Sequence, residues 1–177
     1  MELWDVYDKD GNLAGRTMKR GGRLACCDYH LAMEAWIINL KGQILIQQRS
    51  EKCEILPRIW AHTTGRILAG EDSVAGCIRE IKEELGIRVS PEDIHFIRRI
   101  IREDSTNLIW DVYVVVKDIS LSGIRLQESE VAGVKWVSPQ DIRNMLKNGD
   151  FFEYPEIYEI LVYVEQLMDQ CIAEKRY

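Results

Sequence analysis

Apolar positions recur along the chain at two different periods, and the change of period marks out its elements. "HLAMEAWIINLKGQILIQQRS" holds two apolar-rich runs, His30–Asn39 and Gln43–Arg49, around the turn "NLKGQ". This pattern predicts a pair of strands. "IHFIRRIIRE" and "LIWDVYVVVKDI" predict two more, joined by the polar "EDSTN", and "VAGVKWVS" predicts another. Near the start, "LWDVYDKDGNLAGRTMKRG" reads as a short hairpin, with Gly11 free to take positive φ at its turn. "EKCEILPRIW" reads as a loop. The helical period appears over Val74–Leu85, where Ser73 is the expected start cap and Gly86 the expected stop. It returns after Ser138-Pro139 as a short helix ending near Gly149. Ile157, Ile160, Leu161, Val164, Leu167, Met168 and Ile172 then define an amphipathic closing helix over residues 155–175. Strands and helices mix without regular βαβ alternation. The expectation is an α/β sandwich on a mixed sheet rather than a doubly wound parallel fold.

Length and composition narrow the picture little. The 177 residues fit one domain, 1–177, with residues 1–28 as a hairpin extension. Of these residues 46% are hydrophobic and 29% charged, as in ordinary globular chains. A formal charge of −6 argues against a nucleic-acid polymer or an anionic lipid surface as partner. No apolar run approaches the ~18 residues that would cross a bilayer. The opening "MELWDVYDKDGN" lacks the basic leader and apolar run of a signal peptide. Cys26, Cys27, Cys53, Cys77 and Cys171 are odd in number and form no CxxC pair. Free thiols, no zinc site and a cytoplasmic location are therefore expected.

The stretch "GRILAGEDSVAGCIREIKEELGI" changes the picture most. At ~100° per residue, Glu84 falls about 40° from Glu80, and Glu83 about 60° to the other side. Val74, Cys77, Ile78, Ile81 and Leu85 form an adjoining apolar stripe, so one flank of the helix faces the core and the next is acidic. A solvated acidic face alone would be ordinary, since like charges at i,i+4 cost only about 0.2–0.5 kcal/mol. The spacing around it is more specific. Gly65, Glu71, Arg79-Glu80, Ile81, Glu83-Glu84, Gly86 and Ile87 spell G-x5-E-x7-R-E-U-x-E-E-x-G-U without a gap, where U is a bulky aliphatic residue.

That string resembles the signature of the Nudix hydrolases, with every fixed position filled. The resemblance implies an α/β/α sandwich with a mixed sheet. It also implies hydrolysis of a nucleoside diphosphate linked to another group, X, or of a related small diphosphate. Glu80, Glu83 and Glu84 would bind Mg²⁺, with Mn²⁺ as an alternative, because a hard divalent cation takes several carboxylate oxygens. Glu83, Glu84 or a carboxylate from a later loop would activate water, and Arg79 would orient a glutamate. Glu71 would be structural or assist the metal.

Further candidates come from neighbouring segments. Glu128 and Glu130, in "LQESEVAGVKWVS", are candidates for an extra ligand or the general base; Glu130 is kept as a metal ligand. Arg49, Arg66 and His62, together with the backbone at Gly65, are candidate substrate contacts. Trp36, Trp60, Trp110 and Tyr113 could stack on a base but read first as core. "YHLAMEAWIINLKGQILIQQRS" with "LPRIW" also resembles the Nudix branch that includes isopentenyl-diphosphate isomerases. In that branch a histidine at the position of His30 ligates metal, and a cysteine and a histidine follow the tryptophan. Here Thr64 and Arg66 stand in their places, and a threonine hydroxyl is a poor substitute for the thiol in moving a proton. His30 is accordingly read as a histidine of the core, or one that supports a metal ligand, and not as a ligand itself. Three readings remain: a Mg²⁺-dependent diphosphate hydrolase, an isomerase-like enzyme and a non-catalytic nucleotide sensor. The hairpin and the last helix are the candidate faces for a homodimer.

Overall fold

The computed structural model describes residues 2–104 and 106–174. Nine strands and three helices carry the fold among these residues. The hairpin forms from β1 (Leu3–Tyr7) and β2 (Leu13–Lys19), a separate two-stranded sheet. The main sheet is built on β3 (His30–Ile38), which pairs in parallel with β8 (Leu108–Val116) from His30↔Leu108 to Ile38↔Val116. Both strands are buried along nearly their whole length, which is why their sequences read as apolar runs rather than strict alternation. β7 (Ile94–Arg102) closes one edge, antiparallel to β8.

On its other edge β3 has two partners. β4 (Ile44–Arg49) pairs with it only at Ile37↔Leu45 and Ile38↔Ile44. β6 (Thr63–Arg66) takes over beside Ala32–Ala35. β5 (Trp60–Ala61) and β9 (Val131–Val137) both pair with β4. Neither β5 nor β6 is expected from the sequence, because strands this short carry no readable period.

The sheet is covered on both faces. α1 (Ser73–Leu85) packs Cys77, Ile81 and Leu85 against Met33 and Ile37 on one side. α2 (Pro139–Asn148) and α3 (Ile157–Glu174) pack Ile142, Ile160 and Val164 against Trp36 and Ile38 on the other. The result is the expected α/β/α sandwich on a mixed sheet.

Local chemistry explains the helix ends, with one correction. Asp72, not Ser73, caps α1: its carboxylate accepts from the Ala75 amide at 2.8 Å. The Ser73 hydroxyl instead meets Asp111 and Tyr113, each at 2.6 Å, tying the helix start to β8. Gly86 ends α1 at φ 67°, as expected, and Ser138 caps α2 through the Asp141 amide. Among the described residues no helix is long and apolar enough to cross a membrane, and none of the five cysteines is in a disulfide.

Candidate active site

The acidic stripe of α1 forms one wall of a cavity of about 650 Å³. Glu80, Glu83, Glu84 and Glu130 all reach it, so four ligands expected from the sequence share one space. Arg49, Gly65, Arg66 and Arg79 reach it as well. Leu108, Trp110, Phe152 and Tyr154 line it too, beside Arg102, Asp104 and Glu153.

Arg79 organises the loop that feeds the helix. Its Nε donates to Glu71 Oε1 at 2.9 Å, and its Nη2 donates to the Arg66 carbonyl at 2.8 Å. Its Nη1 donates to Glu80 at 2.9 Å and to Glu83 at 3.2 Å. Glu71 in turn accepts from the Leu68 amide at 3.1 Å. One guanidinium therefore fastens the 66–71 segment to the acidic face, using the planar fork that suits carboxylates. Gly65 is required by contact rather than by φ. A Cβ there would lie 2.1 Å from Glu80 Cγ, so only glycine lets the Glu80 side chain lie across this backbone.

Glu84 is buried, and the protein bond to its carboxylate comes from Gln47 Nε2 at 2.7 Å. Gln47 also accepts from Thr63 at 3.1 Å, which holds its amide in register. Burial, ahead of the bond from Gln47 that opposes it and the charges of Glu80 and Glu130, pushes the Glu84 carboxyl up to about 8. Burial raises Glu80 in the same direction, with Arg79 working against it. Two acids on one helix are thus uncomfortable as bare anions.

Not every candidate drawn from the sequence belongs here. His62 is fully buried, stacked on Trp36 with ring centroids 4.8 Å apart. Its Nε2 lies 3.0 Å from Glu34 Oε2. It sits between β5 and β6 with its ring in the core, not on an exposed loop, and the substrate contact expected of it is corrected accordingly. Glu128 is exposed and outside the cavity lining; its carbonyl accepts from Ser50. Trp36 and Tyr113 are core, whereas Trp110 faces the cavity. His30 is buried against Trp4, ring centroids 5.0 Å apart, and burial lowers its pKa to about 4, so it is neutral as the core reading requires.

Three contributors escape a reading of the sequence. Gln47 is legible in principle, because a polar residue in the apolar strand "ILIQQR" is an anomaly that asks for a partner. Arg20 and Glu2, from the hairpin, also line the cavity, and no local pattern announces that.

As they stand, no three acid, thiol or imidazole groups among the described residues are gathered closely enough to hold a metal ion. Arg79 engages Glu80 and Glu83 instead. The donor chemistry nonetheless suits a hard divalent cation. Four carboxylates share the wall, and the buried one has a raised proton affinity and one neutral partner.

The profile of the NUDIX domain matches residues 28–159, three quarters of the chain and all of the site above except the hairpin residues. The chain belongs to the Nudix family of hydrolases. An uncharacterised Nudix hydrolase of Listeria monocytogenes is 34% identical over 155 residues, covering 87% of this chain and 90% of its own. The isopentenyl-diphosphate Δ-isomerase of Escherichia coli is 27% identical over 140 residues, covering 77% of each. Among solved Nudix-fold structures, a Deinococcus radiodurans protein aligns with TM-score 0.74 at 16% identity, over 92% of this chain and 99% of its own. At that identity the last likeness speaks to the fold alone.

Proposed function

We propose that this Nudix hydrolase cleaves the diphosphate linkage of a nucleoside diphosphate joined to a second group, or of a related small diphosphate, with the help of Mg²⁺ or Mn²⁺. The observation that carries the reading is the composition of one cavity. Four glutamates form one wall, while Arg49 and Arg66, which make no ion pair among the described residues, reach the same space. An acidic wall alone would repel a diphosphate. With divalent cations on the glutamates and bare guanidinium groups nearby, the same space attracts one.

Glu80, Glu83 and Glu84 would hold the cation, with Glu130 as the added ligand. When bound, the cation offsets the charge of the diphosphate and makes water a better nucleophile at neutral pH. The chain's own residues do the rest. Arg79 is a positioning group, since its donors are spent on Glu71, Glu80, Glu83 and the Arg66 carbonyl. Binding would require Glu80 and Glu83 to loosen from it. Arg49, whose Nε donates to the Ile55 carbonyl at 2.9 Å, keeps its two Nη groups for a phosphate. A carboxylate of the set, Glu83, Glu84 or Glu130, accepts the proton of the attacking water. Trp110, Phe152 and Tyr154 line the cavity and would meet the attached group.

A panel of diphosphates incubated with Mg²⁺ and read by mass spectrometry tests this directly. Release of a monophosphate, lost in Glu84→Gln, is the expected result. The similarity to the isomerase motivates a second reading, in which Thr64, at the cavity wall, would have to replace a thiol. Conversion of isopentenyl diphosphate followed by NMR, without hydrolysis of any diphosphate, would favour it.

A further inference from the structure

The hairpin, residues 3–19, and the segment after it lie outside the matched domain, yet Glu2 and Arg20 at its two ends line the cavity. β1 is fastened to the loop that precedes α1. The Leu3 carbonyl accepts from the Ala69 amide at 2.8 Å, and the Asp5 carboxylate accepts from the Gly70 amide at 2.7 Å. Tyr7 exchanges backbone bonds with Tyr29 at 2.8 and 2.9 Å, and Arg16 donates to Asp28 at 2.6 Å. Trp4 and Val6 are buried beneath this contact. The hairpin is thus held against the same loop that Arg79 holds from the other side.

Its end carries a cation into the site. Arg20, just past β2, lines the cavity alongside Arg66. Glu2 pairs with Arg20 at 3.0 Å, and both side chains stay largely exposed. Arg66 has no carboxylate at all among the described residues; its guanidinium carbon lies 5.9 Å from the Trp4 ring centroid. A half-buried arginine facing a second arginine is an unfavourable arrangement unless something anionic comes between them. Burial, and then the charge of Arg20, lowers the Arg66 pKa, which is the mark of that arrangement.

We infer that Arg20 and Arg66 form an anion subsite for the phosphate that is not attacked, so that the hairpin completes the substrate site rather than decorating it. The inference rests on the diphosphate reading above. Arg20 after the hairpin and Arg66 on β6 supply two cations, and Glu80, Glu83 and Glu84 on α1 with Glu130 before β9 supply four carboxylates. The carboxylates would hold the metal, and the arginines would bind the phosphate that is not attacked. Glu2 sets how tightly, because it competes with the ligand for Arg20. Arg20 binds substrate at its non-reacting end and is a specificity residue.

The test is calorimetric titration with methylenediphosphonate, a diphosphate mimic that cannot be hydrolysed, in the presence of Mg²⁺. Full-length wild type, Arg20→Gln, Arg66→Gln, Glu2→Gln and, as a charge control, Arg88→Gln are compared. Losing one charge-assisted contact is expected to weaken binding about tenfold in Arg20→Gln and Arg66→Gln. Arg88 is exposed and outside the cavity lining, so Arg88→Gln should stay within about twofold, and Glu2→Gln should bind more tightly because a competitor for Arg20 is lost. Arg20 is exposed enough that its variant should keep the wild-type melting temperature. On any diphosphate the wild type hydrolyses, Arg20→Gln should raise KM and leave kcat within about threefold, the signature of lost uniform binding. Binding by Arg20→Gln within about twofold of wild type would overturn the subsite, and so would no binding by wild type. Arginine-dependent binding with no diphosphate hydrolysed would sink the enzymatic reading and leave the subsite standing.

Discussion

Glu34 and Glu84 are both buried glutamates beside the same sheet, and they are treated in opposite ways. Glu34 is wholly buried on β3, and two donors meet one oxygen of its carboxylate. Trp36 Nε1 and the Tyr154 hydroxyl both donate to Oε1, while Oε2, 3.0 Å from His62 Nε2, makes no hydrogen bond among the described residues. Glu84 has one donor, Gln47, and two other acids close enough to raise its proton affinity further. A buried carboxylate that the fold intends to keep is given partners; one held short of partners is available to something absent from the chain. The contrast separates a structural acid from a working one more sharply than burial does.

Substitution at these two positions should split stability from activity. Glu84→Gln is expected to fold normally and to lose about 10²-fold or more in kcat, since a ligand or base carboxylate has gone. Equal activity in Glu84→Gln and wild type would break the comparison. Glu34→Ala should lose stability in urea unfolding, roughly 1–3 kcal/mol for each buried donor, Trp36 Nε1 and the Tyr154 hydroxyl, that it leaves without an acceptor. Glu34→Gln keeps the shape and one acceptor, so it should retain most of the activity.

Arg79→Ala comes next in size. It frees Glu71, Glu80 and Glu83 together and unfastens the loop at the Arg66 carbonyl, so kcat should fall by about 10–100-fold. Arg79→Lys should recover little, since an ammonium cannot reproduce the fork that reaches four acceptors.

A pH series sharpens the contrast at Glu84. Its folded value, about 8, lies above the ordinary 4.5, so its contribution to stability is full below pH 4.5 and is lost as pH rises through about 8. In metal-free protein the melting temperature of Glu84→Gln should therefore gain on wild type between about pH 5 and pH 8. A constant difference across that range would contradict the assignment. The smallest effect concerns Cys77, fully buried on α1, whose thiol burial pushes up to about 12 with Glu80 adding to it. Iodoacetamide at about pH 8 should label the exposed Cys26 and Cys27 in the native protein and leave Cys77 unlabelled, as peptide mass spectrometry would show.

Much of this is legible along the chain because it depends on local period and short-range spacing. The long strands, α1 with its acidic and apolar flanks, the Gly86 and Gly149 stops and the Ser138 cap all follow from neighbouring residues. The cap of α1 is misassigned from sequence because Asp72 and Ser73 are both capping residue types, and only the bond from Ser73 to Asp111 on β8 decides between them. His62 is misread for a similar reason. Its neighbours form strands of two and four residues, and its burial depends on Trp36 and Phe151, which lie far away in sequence. The hairpin's part in the cavity is not legible either, since two bonds from the 69–70 backbone to Leu3 and Asp5 create it. Side chains that act on their own helix can be read from sequence; those placed by distant backbone cannot.

That the acidic wall of α1 seats divalent cations against a diphosphate is tested most directly by titration with Mn²⁺ followed by electron paramagnetic resonance, with and without methylenediphosphonate. Wild type should bind Mn²⁺ and bind it more tightly with the diphosphonate present, while Glu80→Gln and Glu84→Gln lose that binding. Undiminished Mn²⁺ binding in both variants, or none in wild type with the diphosphonate bound, would contradict it.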